Sequence, residues 1–312
     1  MSNTPKISVL IPTYNYAQYL DEAIQSVIDQ TYSDFELIIV DNNSTDNTDE
    51  VVRKYLYDGR ISYYKNETNI GMVANFNKCL EYSKGEYIKY LLADDKFHPE
   101  LLEKFVTIME QYHNVSLVTS YRKFFDAKSG ENVTPFIFLQ EGKKVIYDNL
   151  KRGNWIGEPT APMFRRLNLK VGNFNSNYIW LTDIEMWLRQ LTVGDCYIIP
   201  EYLSYIRKHH IQITKAVKKN FIHFLEDYYF YKSIKEHKEY NINFSEFDID
   251  PIIKKKAANC AKAMYKVIPE LGKKEKWSIF KKAFKIAYTE GVLFTPLINY
   301  VAKSTTRNNE ST

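Results

Sequence analysis

Two adjacent aspartates, Asp94 and Asp95, close the apolar run in the stretch YLLADDKFHP, residues 90–99. Neighbouring like charges repel and raise each other's pKa, so the pair needs a reason. Acidic residues begin helices, where free N–H groups meet them. A carboxylate pair can also hold a divalent cation. Taken alone, the helix start is the commoner case. Asp41 follows a second apolar run, FELIIV, and opens the cluster Asp41-Asn42-Asn43-Ser44. Asp183 lies in Thr182-Asp183-Ile184-Glu185, which reads as a capping box with Thr182 at the N-cap and Glu185 at the third helical position. It would place Asp183 in a first turn, where the helix dipole favours an ionised carboxylate, the form a general base needs, although taken alone it reads better as one more helix-start acid. His209, after Arg207 and Lys208, is either a solvated imidazole or a ligand.

These residues need elements to position them. The run ISVLI, residues 7–11, reads as a strand buried on both faces, and Pro12 suits its end. Leu20, Ala23, Ile24, Val27 and Ile28 follow the spacing of one buried helix face. Strands are expected at residues 35–40, 61–65 and 87–92, with helices near 50–56, 72–83 and 99–112. Strand and helix thus alternate four times, which argues for an α/β fold with a parallel, doubly wound sheet. Such sheets bind ligands beyond the carboxyl ends of their strands. Thr13-Tyr14-Asn15, the Asp41 cluster, Asn69-Ile70-Gly71 and the Asp94–Asp95 pair all fall there. Four polar clusters on one rim suggest a polar ligand site. Neither GxxxxGK[ST] nor GxGxxG follows the first strand, which disfavours a P-loop or a dinucleotide dehydrogenase.

The chain has 312 residues, 45% apolar and 26% charged, an ordinary soluble composition with room for one large domain or two. Its net charge of +4 does not point to nucleic acid. Cys79, Cys196 and Cys260 are odd in number, widely spaced and without a CxxC, so no zinc cluster or disulfide framework is expected. The start MSNTPK carries no signal peptide, and no apolar run approaches the ~20 residues of a membrane span. A cytoplasmic protein with reduced thiols is the expectation.

Four blocks, in order, resemble one family. ISVLIPTYNYAQYLDEAIQSVIDQTYSDFELIIVDNNSTD, NETNIGMVANFNKCLEYSKGEYIKYLLADD, VGNFNSNYIWLTDIEMWLRQL and YLSYIRKHHIQIT are similar to segments of the family-2 glycosyltransferases, inverting enzymes of GT-A type fold. The resemblance covers about residues 6–215 and implies a Rossmann-like, mostly parallel central sheet flanked by helices. It implies that Pro12, Thr13 and Tyr14 frame a nucleobase, that Asp41 bonds that base, usually uracil, and that Asn69 and Gly71 shape the pocket beneath it. By the same resemblance Asp94 meets the ribose or the diphosphate-bound metal, Asp95 ligates Mn²⁺ or Mg²⁺ directly, His209 is a further metal ligand, and Asp183 is the catalytic base. Here the acidic motif reads Ala93-Asp94-Asp95 and the cluster after the second strand reads DNNS, where relatives often have D-x-D and DDGS. The resemblance implies a nucleotide-sugar donor of UDP type, a hexosyl- or N-acetylhexosaminyl group, and a glycan or lipid-linked acceptor in cell-surface polysaccharide synthesis. A nucleotidyltransferase and a non-catalytic nucleotide-sugar-binding protein are the alternatives; the first would want a glycine-rich, basic loop where Pro12–Asn15 stands.

Residues 216–312 match none of these blocks and read as a helical C-terminal region. From residue 251 it carries 13 Lys+Arg against 4 Asp+Glu, a local charge of +9. Trp277, Phe280, Phe284, Ile286 and Tyr288 lie among Lys281, Lys282 and Lys285. Such a helix either packs with a solvated basic face or lies peripherally on an anionic membrane surface at the inner leaflet. Trp155, Trp180 and Trp187 read as core or helix packing, with sugar stacking as the alternative for the first two.

Overall fold

The computed structural model describes residues 4–127, 129–209, 217 and 221–295. Residues 210–215, which end the last family-like block and contain the expected domain boundary, lie outside them. Two compact units divide at residues 210 and 211.

In the first unit the alternation reads as expected. Strand β1 (Ile7–Thr13) is buried at all seven positions, and pairs in parallel with β2 (Phe35–Asp41) and β4 (Tyr87–Tyr90). Strand β3 (Ile61–Lys65) extends the sheet beyond β2. Pro12 is tolerated because it lies past Leu10, the last residue paired with β4. Helix α1 (Ala17–Ile28) buries Ala17, Leu20, Ala23, Ile24 and Val27. Its start has no cap of its own; Asp46 supplies one, accepting the Ala17 N–H at 3.0 Å. The other Asp46 oxygen takes the N–H and hydroxyl of Thr48, where α2 (Thr48–Arg53) begins. Helices α3 (Met72–Tyr82) and α4 (Leu101–Gln111) complete the alternation, α4 starting two residues after Pro99.

Beyond β4 the sheet is mixed. Its order is β3-β2-β1-β4-β9-β6-β10-β5. The long strands β6 (Val115–Asp126) and β10 (Asp195–Lys208) are parallel to each other. Strand β9 (Met163–Arg165) lies antiparallel between β4 and β6. Strands β5 (Lys96–Phe97) and β8 (Phe138–Gln140) pair antiparallel with β10, and β7 (Gly130–Asn132) with β6. The α/β class therefore holds, with parallel pairing concentrated in the first 90 residues. Helix α5 (Gly142–Arg152) and helix α6 (Thr182–Leu191) pack on one another, and α6 on β6.

The capping box expected at Thr182 does not form. Helix α6 starts at Thr182 itself, with Leu181 at the N-cap, and the buried Thr182 hydroxyl has no hydrogen-bond partner among the described residues. Glu185 is drawn instead to Arg189 one turn on, which donates from Nε at 2.8 Å and from Nη2 at 2.7 Å. A bidentate ionic pair outweighs a single cap bond.

The second unit has three described α-helices, α7 (Ile222–Glu236), α8 (Asp250–Val267) and α9 (Lys274–Thr289). Helix α8 packs against both of the others. Ile253, Ala257, Cys260, Ala261 and Met264 form its buried side.

Candidate active site

The loops after β1, β2 and β3 knit into one rim. Asn15, in the left-handed region at φ 56°, donates its N–H to Ser44 Oγ and accepts the Thr45 N–H on Oδ1. Asp41 ends β2 beside Thr13. It is fully buried, and its oxygens are occupied. Oδ1 accepts the N–H of Ser44 at 2.8 Å and its hydroxyl at 2.5 Å, while Oδ2 accepts the Tyr63 hydroxyl at 3.0 Å. Asn69 Oδ1 takes the Gly71 N–H and the Asn42 amide, each at 2.9 Å. Gly71, at φ 88°, turns the chain into α3 and stays exposed with Asn69. Thr13 is buried, its hydroxyl unpaired among the described residues, and Tyr14 projects outward.

The acidic pair is assembled by β5. This strand begins immediately after Asp95, and pairing Lys96 with Tyr205 and Phe97 with Ser204 brings the end of β10 onto the aspartates. Arg207 then clamps both, its N–H on Asp95 Oδ1 and its Nε–H on the Asp94 carbonyl, each at 2.9 Å. His209 Nε2 lies 2.8 Å from Asp94 Oδ2, with the Tyr19 and Tyr16 rings 4.9 and 5.7 Å from its own. Asp95 turns inward, where Oδ2 accepts the Thr160 hydroxyl at 2.5 Å. Burial, reinforced by the neighbouring Asp94 charge, pushes the Asp95 carboxyl well above the usual carboxylate range. The expected metal-ligand residues thus part company: the Asp94 carboxylate meets His209, and the Asp95 carboxylate is engaged inside.

Asp183 sits in the first turn of α6. Its Oδ1 accepts the Ile184 N–H at 2.7 Å and its Oδ2 the Asn154 amide at 3.0 Å. Burial pushes its carboxyl up to about 7, and the Glu158 charge adds to the rise, while the hydrogen bonds oppose it. Glu158 is held by Arg122 at 2.7 Å, with Lys208 3.6 Å away. Its charge raises the Asp95 carboxyl as well as that of Asp183.

The family model of glycosyl transferase family 2 matches residues 8–171, more than half of the chain. The chain belongs to glycosyl transferase family 2. Over 230 residues it is 30% identical to TuaG of Bacillus subtilis, a protein named for teichuronic acid biosynthesis, covering 71% of this chain and 88% of TuaG. Staphylococcus aureus TarS 1-349, solved in complex with UDP-GlcNAc, shares the fold at TM-score 0.65 and 18% identity, over 96% of this chain and 87% of that one. The mannosyltransferase PcManGT from Pyrobaculum calidifontis, solved with GDP-Man and Mn²⁺, does so at TM-score 0.57 and 15% identity, over 93% and 87%. This family-2 protein is a glycosyltransferase, which displaces the nucleotidyltransferase alternative. No helix among its described residues is long and apolar enough to cross a membrane.

No group of three or more His, Cys, Asp and Glu side chains suited to a metal ion occurs among the described residues of the glycosyltransferase. Asp94 and His209 do bring a carboxylate oxygen and an imidazole nitrogen together. That pair fits a cation whose remaining ligands are substrate phosphates and water, the usual arrangement for Mg²⁺ at nucleotide sites.

Several residues of the site were not expected from sequence. Lys89 is fully buried in β4, and its ammonium donates to the carbonyls of Thr160, Ala161 and Pro162. Thr160 in turn accepts the Leu92 N–H at 3.0 Å. Asn154, Glu158 and Thr160 all belong to the segment between α5 and β9. Gly157 lets that segment pass, because at φ 122° an added Cβ would meet Arg122 Nη1 at 2.5 Å. A lysine inside the apolar run YIKY was the one sequence signal. Trp155 and Trp187 are buried, with their indole N–H groups on Asp148 and on the Gly157 carbonyl, as packing residues would be. Trp180 is half-buried.

Proposed function

We propose that this family-2 enzyme is an inverting transferase that moves a hexosyl or N-acetylhexosaminyl group from a UDP-linked donor to a hydroxyl of a glycan or lipid-linked acceptor, in polysaccharide assembly. The observation that carries the reading is Asp183, a carboxyl buried in the first turn of α6, held by Asn154 and pushed up to about 7 by that burial. A base of that strength is matched to proton transfer at neutral pH. The names and ligands of TuaG, TarS and PcManGT support the substrate class.

In this reading the acceptor hydroxyl attacks the anomeric carbon on the face opposite the diphosphate. Its oxygen forms the new glycosidic bond, the bond from that carbon to the phosphate oxygen breaks, and Asp183 takes the hydroxyl proton. No enzyme nucleophile is needed, in keeping with a site built of carboxylates. Asp94 and His209 would hold Mn²⁺ or Mg²⁺, which when bound supplies Lewis-acid stabilisation to the departing diphosphate. Asp95, held by the Thr160 hydroxyl and the Arg207 N–H, would fix the turn that carries Asp94. Pro12, Thr13, Tyr14, Asn69 and Gly71 line the nucleoside side, with Asp41 bracing the turn behind them and, on rearrangement of that turn, reaching the base.

Sugar transfer and UDP binding measured side by side test the assignment. Asp183→Asn should lose roughly 10²–10⁴ in turnover with UDP affinity unchanged. Asp94→Ala should abolish the tightening of UDP binding by Mn²⁺. Normal transfer by Asp183→Asn would send the base elsewhere, and Mn²⁺-dependent binding that survives in Asp94→Ala but not in Asp95→Ala would restore Asp95 as the metal ligand.

A further inference from the structure

Helix α9 has two unlike faces. Lys276, Ile279, Ala283, Ile286 and Ala287 are buried. Flanking that buried face, an aromatic ridge runs along the helix. Trp277, Phe280, Phe284 and Tyr288 are spaced by three or four residues, and their rings follow one another at 5.8, 6.3 and 6.2 Å between centroids. Residues at that spacing share one helix face. Trp277 is 46% exposed, Phe284 43% and Tyr288 71%. Lys281, Lys282 and Lys285 are exposed on the same helix. At about 100° per residue, Lys281 and Lys285 lie immediately next to the ridge, so the cationic groups border it along one side.

A ridge of aromatic rings with a cationic border is the pattern of an interfacial helix. Trp and Tyr rings favour the level of lipid headgroups, where an apolar body and a polar tip are both satisfied. Long lysine side chains reach anionic phosphates while their stems stay in the apolar layer. A nucleic acid would want basic groups tracking a groove, whereas here the charges edge a convex apolar surface. We propose that the outer face of α9 docks the enzyme onto an anionic phospholipid bilayer. The ridge enters the headgroup region and the three lysines meet the lipid phosphates. This holds whatever sugar the enzyme transfers, and its test does not depend on transfer.

The full chain is sedimented with phosphatidylcholine vesicles containing or lacking phosphatidylglycerol, at low and high salt. Binding is expected to the anionic vesicles only, to weaken with salt, and to shift Trp277 fluorescence to the blue. Replacing Lys281, Lys282 and Lys285 with Gln should lower vesicle affinity ~100-fold, about fivefold for each lysine. The triple variant Trp277→Ser, Phe284→Ser, Tyr288→Ser should lose binding at every salt concentration, with UDP affinity and thermal unfolding as checks on its fold. Failure of the full chain to bind anionic vesicles overturns the proposal, as does wild-type binding by either variant. A self-associating chain that the aromatic variant converts to monomer would assign the ridge to a second copy. Binding that appears only when residues 296–312 are deleted would assign it to that segment. Either result would also overturn the proposal.

Discussion

At the residue scale, Asp183 makes opposite demands on activity and stability. As a base it acts only when ionised, so the transfer rate should rise through about pH 7 and level off above. For stability the sign reverses. Its folded pKa lies above the ordinary 3.8, so the native state binds the extra proton between those values. That stabilisation is complete below about pH 4 and is lost as pH climbs through 7, by roughly 4 kcal/mol at most. Asp183→Asn should therefore unfold at a higher temperature than wild type at pH 8, with little difference at pH 4, while transferring almost no sugar. Identical pH dependence of unfolding in the two proteins would remove the raised pKa. Asp41 is a different case. Three donors, the Ser44 N–H, the Ser44 hydroxyl and the Tyr63 hydroxyl, converge on it. Asp41→Ala strands them and should cost ~1–3 kcal/mol of stability even without nucleotide. Thermal unfolding checks this, and an unchanged midpoint would show that the turn stands without its carboxylate.

At the element scale, the segment between α5 and β9 acts as a strap across the site. Asn154 holds Asp183, Thr160 holds Asp95, and Lys89 fastens the strap's end from below. Thr160→Val removes the hydroxyl from Asp95 and the acceptor from the Leu92 N–H. It should weaken donor binding while the midpoint of the pH–rate profile stays near 7. Unaltered donor affinity would mean that Arg207 alone secures the pair. The strap also marks where sequence reading stops. The runs ISVLI and FELIIV announce buried parallel strands because their signal is local. Strand β9, three residues long, carries no periodicity and is defined only by its neighbours β4 and β6. Likewise the acidic pair is visible at a strand end, but which carboxylate is engaged inside depends on Thr160 and Arg207, 65 and 112 residues away. The Thr182 box misled because Arg189 competes for Glu185, and an ionic pair within one helix leaves no mark distinct from a cap.

At the scale of the whole molecule, the three cysteines are free and buried. Burial pushes the Cys260 thiol up to about 12 and raises those of Cys79 and Cys196 as well. Native protein should therefore react slowly with a thiol reagent, and denatured protein should release three fast-reacting thiols; a fast thiol in the native state would contradict that burial. The sheet order has a further consequence, for the chain during its synthesis. Strands β1 to β4 are complete by Tyr90, but the partner that covers the outer edge of β4 is β9, which begins at Met163. At ~5–20 residues per second, that edge waits roughly 4–15 s. An open apolar edge recruits strands from other chains, and a lysine within it discourages them. Lys89 stands there, opposite Met163 in the finished sheet. The residue that fastens the strap in the native enzyme should thus also guard against aggregation while the enzyme is being made. Lys89→Met should refold with a yield that falls more steeply with protein concentration than that of wild type, and parallel yields would leave the lysine with its native role alone.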